Sequence, residues 1–429
     1  MSKITVRQAK KINGVLRVPA DKSITHRAVM ISSIAKGKSI VHNFLNGGDC
    51  MATIDAFKHM GISIEENGAN LSISGRGLYG LNKPESELYL GNSGTTARLL
   101  MGILAAQPFS TVLTGDESLS KRPMDRVCAP LSEMGASFSS GGKKNSLPIT
   151  ITGGKLKPIN YTTPVPSAQV KSSILLAGLY AGGLTTVSEK VRSRDHTERM
   201  LALFGADIKR DGLKAVVKGG IDLKAHDVRV PGDISSSAFF IALAALLNKS
   251  RITVEEVGTN PARTGFLEVL KRMGGRFDLN NTEERDSEPA ADITVSHSGL
   301  NGVEIKEDEI PAMIDEIPII MVLASLSEGL SVIKGAGELR VKETDRISSM
   351  SANLAKMGAC IKIDDDDIII KGPSKLKGAS VESFGDHRTA MAMIIAGLCA
   401  EGDTTVMDTQ CIDTSFPRFM DTLKRVVIF

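Results

Sequence analysis

Tryptophan is absent from this chain, aromatic residues make up only 4% of it, and no two cysteines form a CxxC pair. Sparse aromatics exclude base-stacking platforms and the aromatic walls of carbohydrate sites. Cys50, Cys128, Cys360, Cys399 and Cys411 are too scattered for a zinc site or a disulfide framework and read as reduced thiols of a cytosolic protein. An excess of one charge is also missing: 52 basic against 49 acidic residues leave +3 over 429 residues. Nothing general therefore favours nucleic acid or a membrane surface, and any basic site must be local. No apolar run reaches the roughly 18 residues of a spanning helix. Lys3, Arg7, Lys10 and Lys11 interrupt any signal-peptide pattern, so the expected location is cytoplasmic.

What is present is a repeat. A 42% apolar fraction and this length suit two or three globular domains. A helical pattern that closes on a Met/Phe-Gly step and passes into a short strand occurs at Met60-Gly61, Met134-Gly135, Phe204-Gly205, Met273-Gly274 and Met357-Gly358. A last helix, Pro417 to Arg425, takes the sixth position and ends the chain. Upstream of each lies a helix apolar around most of its circumference, the pattern of one buried on nearly every side. These are Lys22–Ala35, Thr95–Ala106, Ala168–Ala181, Ser235–Leu247, Asp315–Leu326 and His387–Ala400. Gly or Asn near the ends of five of them predicts a left-handed C′ residue, and a β-branched strand follows each. The unit is strand, buried helix, strand, amphipathic helix, further strand. Leu16–Ser23 recurs as Val228–Ser235, which marks two strands crossing between domains. The expected domains are 21–229, and 1–20 joined to 230–429. Prolines near both crossings make stiff hinges that suit two lobes closing on a ligand.

The stretch Leu90-Gly91-Asn92-Ser93-Gly94-Thr95-Thr96-Ala97-Arg98 runs into one of these buried helices. Small residues at a helix start leave backbone N–H groups open to an anion, although Asn92 or Ser93 as an ordinary N-cap reads equally well. No Gly-Lys-Ser/Thr follows, so it is not a P-loop. Polar groups recur at the other starts: Lys22, Ser23 and Arg27; Ser167, Gln169 and Lys171; Asp233 and Ser235 to Ser237; Asp315 and Glu316; Asp386, His387 and Arg388. The paired amphipathic helices begin with Lys121-Arg122, Arg194, and Lys342, Glu343 and Arg346. Six N-termini aimed at one interdomain cleft would make a cavity for a ligand carrying several negative charges. Taken singly, Ser23 and Ser235 also read as caps, the arginines as solvated charges, and His26 as structural. Asp364-Asp365-Asp366-Asp367 reads as a solvated hairpin tip rather than a metal site.

Several of these stretches together resemble the motif set of the 5-enolpyruvylshikimate-3-phosphate synthase family. They are Asp21–Arg27, Leu90–Arg98, Lys121–Met124, Ser167–Lys171, Leu339–Arg346 and Asp386–Arg388, and they span the full chain. The resemblance implies an α/β fold of two inverse α/β barrel domains, with six βαβαββ-type units, three per domain. It implies addition and elimination that move the enolpyruvyl group of phosphoenolpyruvate to the 5-hydroxyl of shikimate 3-phosphate, releasing phosphate. By the same resemblance, Lys22, Ser23, Arg27, Ser167, Gln169, Arg194, Asp315 and Lys342 meet shikimate 3-phosphate. Lys22, Gly94, Arg122, Gln169, Arg346 and Arg388 meet phosphoenolpyruvate, the last two gripping its carboxylate. Asp315 is the implied base, Glu343 the implied acid, and Lys22 joins them as a catalytic group. No metal, cofactor, nucleic acid or membrane partner is implied, and a monomer is expected.

The chain departs from the family pattern at Thr414, where many members carry a lysine two residues before Phe-Pro, and at Glu338, where an Asn is common. The Gly91–Leu99 stretch has the form of the second class, associated with reduced glyphosate sensitivity. The nearest alternative is UDP-N-acetylglucosamine enolpyruvyl transferase, which carries a reactive cysteine shortly before an Arg-Pro step. Residues 114–121 hold none before Arg122-Pro123. A non-catalytic anion-binding protein on the same repeats would not need the acid and the base.

Overall fold

The computed structural model describes residues 2–141 and 146–429. The chain divides into two compact units: one takes the chain up to Pro19 with Pro231–Glu283 and Pro289–Phe429, the other Ala20–Val230 with Glu284–Glu288. Each unit holds three small mixed sheets.

The repeat is complete in the stretch from Leu88 to Thr152. Strand Leu88–Tyr89 leads into helix Gly94–Leu104 and returns as strand Ser110–Thr114, which lies parallel to the first. Helix Asp125–Met134 follows, then the antiparallel pair Ser137–Ser140 and Ile149–Thr152, which completes the sheet. The same order recurs between residues 160 and 218 and between 304 and 372. The parallel pair explains the buried helix: a crossover that returns parallel must lie across a sheet face, where the rest of the unit covers it. Helix Ala168–Gly178, between the parallel strands Asn160–Thr162 and Leu184–Ser188, accordingly buries nine of its eleven residues. Helices Gly94–Leu104 and Ala168–Gly178 cross so closely that a Cβ on Gly102 would stand 2.2 Å from the Ser173 carbonyl oxygen. Only glycine fits at that crossing.

The Met/Phe-Gly step has a definite physical meaning. Gly61, Gly135, Gly205, Gly274 and Gly358 all have φ between +83° and +113°. In each case the glycine N–H bonds the carbonyl three residues back and the next N–H bonds the carbonyl five back, as in Gly61 to Lys58 and Ile62 to Phe57. This double closure is the Schellman motif, which needs a left-handed residue and so favours glycine. Met60, Met134, Phe204, Met273 and Met357 before them are wholly buried and pin the helix ends to the core.

The buried helices end otherwise than expected. Their terminal residues Ala35, Leu247, Ser327 and Ala400 turn directly into extended backbone, and Gly37 and Gly402 take their positive φ two residues later. Here the following strand, rather than a left-handed cap, redirects the chain. The starts differ as well. The capping side chains are Asp21, Ser93, Ser167, Asp233 and Asp386, so Ser23, Asn92 and Ser235 are not the caps. Three of the six starts thus already carry an aspartate at the positive end of the dipole.

The repeated Leu16–Ser23 and Val228–Ser235 stretches mark an exchange of strands. Lys11–Leu16 leads into helix Lys22–Ile34 yet pairs in parallel with Arg251–Gly258. Val228–Arg229 leads into helix Ile234–Leu246 yet pairs in parallel with Lys36–His42. The sixth repeat is also rebuilt: Lys3–Arg7 pairs with Asp403–Met407, where a hairpin strand would lie. The last helix, Phe419–Val426, ends in Val427–Ile428, which pairs with Lys11–Leu16. The four aspartates sit at a hairpin turn with Asp364 opposite Asp367, and Arg340 Nε donates to Asp366 at 2.8 Å. Of the five cysteines only Cys360 is exposed. Among the described residues no helix is long and apolar enough to cross a membrane.

Candidate active site

In the Ala20–Val230 unit the predicted residues gather around three helix starts. Helix Lys22–Ile34 carries Lys22, whose Nζ lies 3.0 Å from Asp49 Oδ2, and half-buried Ser23. One turn on, Arg27 is buried and fully engaged: Nε donates to Thr197 Oγ1 at 2.7 Å, Nη1 to the Ser23 carbonyl at 2.9 Å, and Nη2 to Ser172 Oγ at 2.9 Å. Burial pushes its pKa down to about 10 against the opposing pull of Glu198, and nearby Arg194 lowers it further. The charge of Arg194 is thus felt at Arg27, and an anion that met both would relieve their repulsion. His26 is structural. Its Nδ1 meets Thr53 Oγ1 at 2.7 Å, and burial, with Lys22 and Arg27 beside it, holds the ring's pKa well below the usual range. The chain of hydroxyls continues from Thr53 to Thr96 at 2.6 Å and on to Ser93 at 2.6 Å, tying the first helix to the second.

At the second start, Ser93 is the cap and Asn92 has a different task. Its amide donates to Asp116 Oδ2 at 2.7 Å, and its oxygen accepts from Arg122 Nη2. Arg98 Nη1 donates to Gln169 Oε1 at 2.8 Å, while Gln169 Nε2 donates to Thr95 Oγ1 at 3.0 Å, so the Gln169 side chain is held at both ends. Ser167 caps the third helix, and two residues beyond Gln169, Lys171 is buried between Glu189 at 2.7 Å and Glu198 at 2.8 Å. Gly94 lies where these arginines converge: a Cβ there would stand 2.9 Å from Arg98 Nη1 and 3.1 Å from Arg122 Nη1. We expect Gly94→Ala to push the flexible ends of both guanidiniums aside by a few tenths of an ångström, with little loss of stability. Steady-state kinetics should show KM for the anionic substrate these arginines face raised about tenfold, with a smaller change in kcat.

The other unit holds a second cluster, centred on Arg346 at the start of helix Arg346–Lys356. Its side chain is 1% exposed and meets three carboxylates. Nε donates to Asp386 Oδ2 at 2.8 Å, Nη1 to Asp315 Oδ1 at 3.0 Å, and Nη2 to Glu343 Oε2 at 2.6 Å. Burial opposes the charge, but Asp386, Glu343 and Asp315 together outweigh it and raise the pKa of the guanidinium. Asp386 also caps the next buried helix through the N–H groups of Arg388 at 2.7 Å and Thr389 at 3.1 Å. Arg388 is equally buried, with Nη2 3.9 Å from Asp233 Oδ2. Its Nε and Nη1 lack a hydrogen-bond partner among the described residues, a costly state that a ligand carboxylate would relieve. Lys342 is half-buried beside Glu343, at the end of the 3₁₀ turn Gly337–Val341. Asp315 and Glu343 remain partly accessible, at 19% and 21% side-chain exposure, and so can meet a substrate.

Two residues in these clusters escaped the reading of the buried-helix starts. Asp49 partners Lys22, and Arg263 lies within 3.9 Å of Asp315 and 3.3 Å of Asp233. The repeat contains a signal for both. Asp49, Arg122, Arg194, Arg263 and Arg346 all fall 11 to 13 residues before the left-handed glycine of their unit.

Comparison with known proteins bears on the chain as a whole. Residues 6–423 match the profile of the family described as EPSP synthase (3-phosphoshikimate 1-carboxyvinyltransferase). The chain is 51% identical over 423 residues to 3-phosphoshikimate 1-carboxyvinyltransferase of Brevibacillus brevis, covering 99% of each chain. It is 50% identical over 427 residues to the protein of the same name from Citrifermentans bemidjiense, covering 100% of both. A solved structure of EPSP synthase from Acinetobacter baumannii superposes with a TM-score of 0.89 at 45% identity, covering 99% of this chain and 98% of that one.

Proposed function

The chain belongs to the EPSP synthase family and catalyses the 3-phosphoshikimate 1-carboxyvinyltransferase reaction of the shikimate pathway, and we propose that its two charged clusters divide the work as follows. Lys22, Ser23, Arg27, Ser167, Gln169, Arg194 and Lys342 bind shikimate 3-phosphate, with Arg27 and Arg194 suited to its phosphate. Lys22, Arg122, Gln169 and the backbone at Gly94 meet the phosphate of phosphoenolpyruvate. Arg346 and Arg388 take its carboxylate. Asp315 accepts the proton of the 5-hydroxyl as that oxygen attacks C2, and Glu343 delivers a proton to C3. The adduct is tetrahedral. Loss of a proton from C3 and cleavage of the C2–O bond to phosphate then give the enol ether and inorganic phosphate. Two substrates, each with one phosphate and one carboxylate, explain why so many cations are required.

The observation that carries this reading is the placement of Asp315 and Glu343 on the two terminal nitrogens of one buried guanidinium. Two carboxylates set around a single cation can act at one reacting centre, one as base and the other as acid. No protein nucleophile is needed. The test is phosphate release from phosphoenolpyruvate with shikimate 3-phosphate or UDP-N-acetylglucosamine as acceptor. Release is expected with the first alone; release with the second would overturn the assignment.

A further inference from the structure

Arg263 belongs to no buried-helix start, yet its guanidinium is as enclosed as that of Arg388. It stands two residues before helix Gly265–Arg272, with its side chain 3% exposed. Nη2 donates to Ser235 Oγ at 2.7 Å and to Asp233 Oδ1 at 3.3 Å, and lies 3.7 Å from Glu316 Oε1. Ser235 in turn donates its hydroxyl hydrogen to Glu316. Nη1 lies 3.9 Å from Asp315 Oδ2. Arg346 approaches the same carboxylate from its other oxygen, Oδ1. Asp315 therefore faces two guanidiniums: Arg346 hydrogen-bonds Oδ1, and Arg263 stands within ion-pair reach of Oδ2 without a hydrogen bond to it.

Those two arginines are not equivalent. Arg346 is shared with Glu343 and Asp386 and is assigned to the substrate carboxylate, so its hold on Asp315 must weaken when phosphoenolpyruvate arrives. Arg263 is fixed by Asp233, Ser235 and Glu316, all buried, and can keep its place through turnover. Resting on the functional reading above, we propose that Arg263 is a positioning residue for the general base. It retains Asp315 Oδ2 while Arg346 turns to the substrate, so that Oδ1 faces the hydroxyl to be deprotonated. The repeat supports this independently. Arg263 occupies the register of Arg122, Arg194 and Arg346, the places where this fold sets its working cations.

The charged groups around Asp315 are Arg263, Arg346 and Arg388 on the positive side, and Asp233, Glu316, Glu343 and Asp386 on the negative. Carboxylates are in excess, so removal of one cation must raise the proton affinity of those that remain. The test measures kcat, both KM values and the pH profile of kcat for Arg263→Met and Arg263→Lys, with thermal melts to establish folding. In Arg263→Met, kcat should fall about a hundredfold, as for a base displaced by about 1 Å. The acid limb of its profile should move up by about one pH unit, because the base loses a neighbouring cation. Both KM values should stay within about threefold of wild type, since binding is not what was removed. Arg263→Lys should return the limb to the wild-type position and recover about tenfold of the rate, because the charge is restored without the fork.

A folded Arg263→Met with an unmoved limb and unchanged kcat would overturn the proposal. So would raised KM values at constant kcat, which would make Arg263 a binding group. Should Arg263→Met not fold, Arg263→Lys decides alone: wild-type kcat there would show that the fork positions nothing. A wild-type chain that releases no phosphate with shikimate 3-phosphate would overturn the functional reading instead.

Discussion

Arg346→Met should be the most damaging single substitution in the chain. The exchange leaves Asp386, whose side chain is wholly buried, without its cation, and strips Asp315 and Glu343 of their shared partner. Removing one member of a buried ion pair typically costs about 3–5 kcal/mol, because the remaining charge keeps its desolvation penalty. Here three carboxylates share one guanidinium, and the raised pKa of Arg346 reflects an attraction that exceeds the cost of burying it. Urea unfolding followed by circular dichroism should show a lowered midpoint with an unchanged slope. In protein that remains folded, phosphate release should fall at least about a thousandfold, as expected if the proposed partner of the substrate carboxylate is lost. Arg346→Lys should recover little of either property, since one ammonium cannot serve three carboxylates set around a planar fork. An unmoved midpoint together with turnover within tenfold of wild type would refute this account.

Asp315→Ala separates chemistry from binding. The side chain is partly accessible and removes one of three carboxylates from Arg346, so the cation keeps Glu343 and Asp386. Stability should fall by no more than about 1 kcal/mol, in the ordinary range for a single substitution. Turnover should fall about 10²–10⁴-fold, the span attributed to a positioned general base. Shikimate 3-phosphate binding, measured by calorimetry, should stay largely intact, because the proposed phosphate contacts, Arg27 and Arg194, are untouched. Unchanged turnover would remove Asp315 from the base role.

How much of this was legible in the sequence depended on how far apart the partners lie along the chain. The buried helices and the Met/Phe-Gly steps were legible because each is local. A helix that is apolar all round and a Schellman closure over six residues both write themselves into consecutive positions. The repeat then placed Arg122, Arg194 and Arg346 in register. What stayed hidden depends on partners brought together only by folding. Nothing in Lys11–Leu16 says that it pairs with Arg251–Gly258 rather than with the strand after its own helix. Likewise, nothing in Asn260–Gly265 says that Arg263 meets Asp315, fifty-two residues on. The caps were misplaced for a smaller reason. Asp21, Asp233 and Asp386 precede other polar residues, and sequence alone does not say which side chain in such a cluster turns back to the helix.

The distribution of the cysteines has a practical consequence. Burial pushes the thiols of Cys128, Cys399 and Cys411 up to about 12, so none offers appreciable thiolate at neutral pH. Cys50 and Cys128 are enclosed, Cys399 and Cys411 are partly accessible, and Cys360 is exposed, at the start of the hairpin formed by Cys360–Asp364 and Asp367–Gly372. A maleimide dye should therefore react first at Cys360, on a surface strand. Fluorescent labelling can begin from that position with the native sequence.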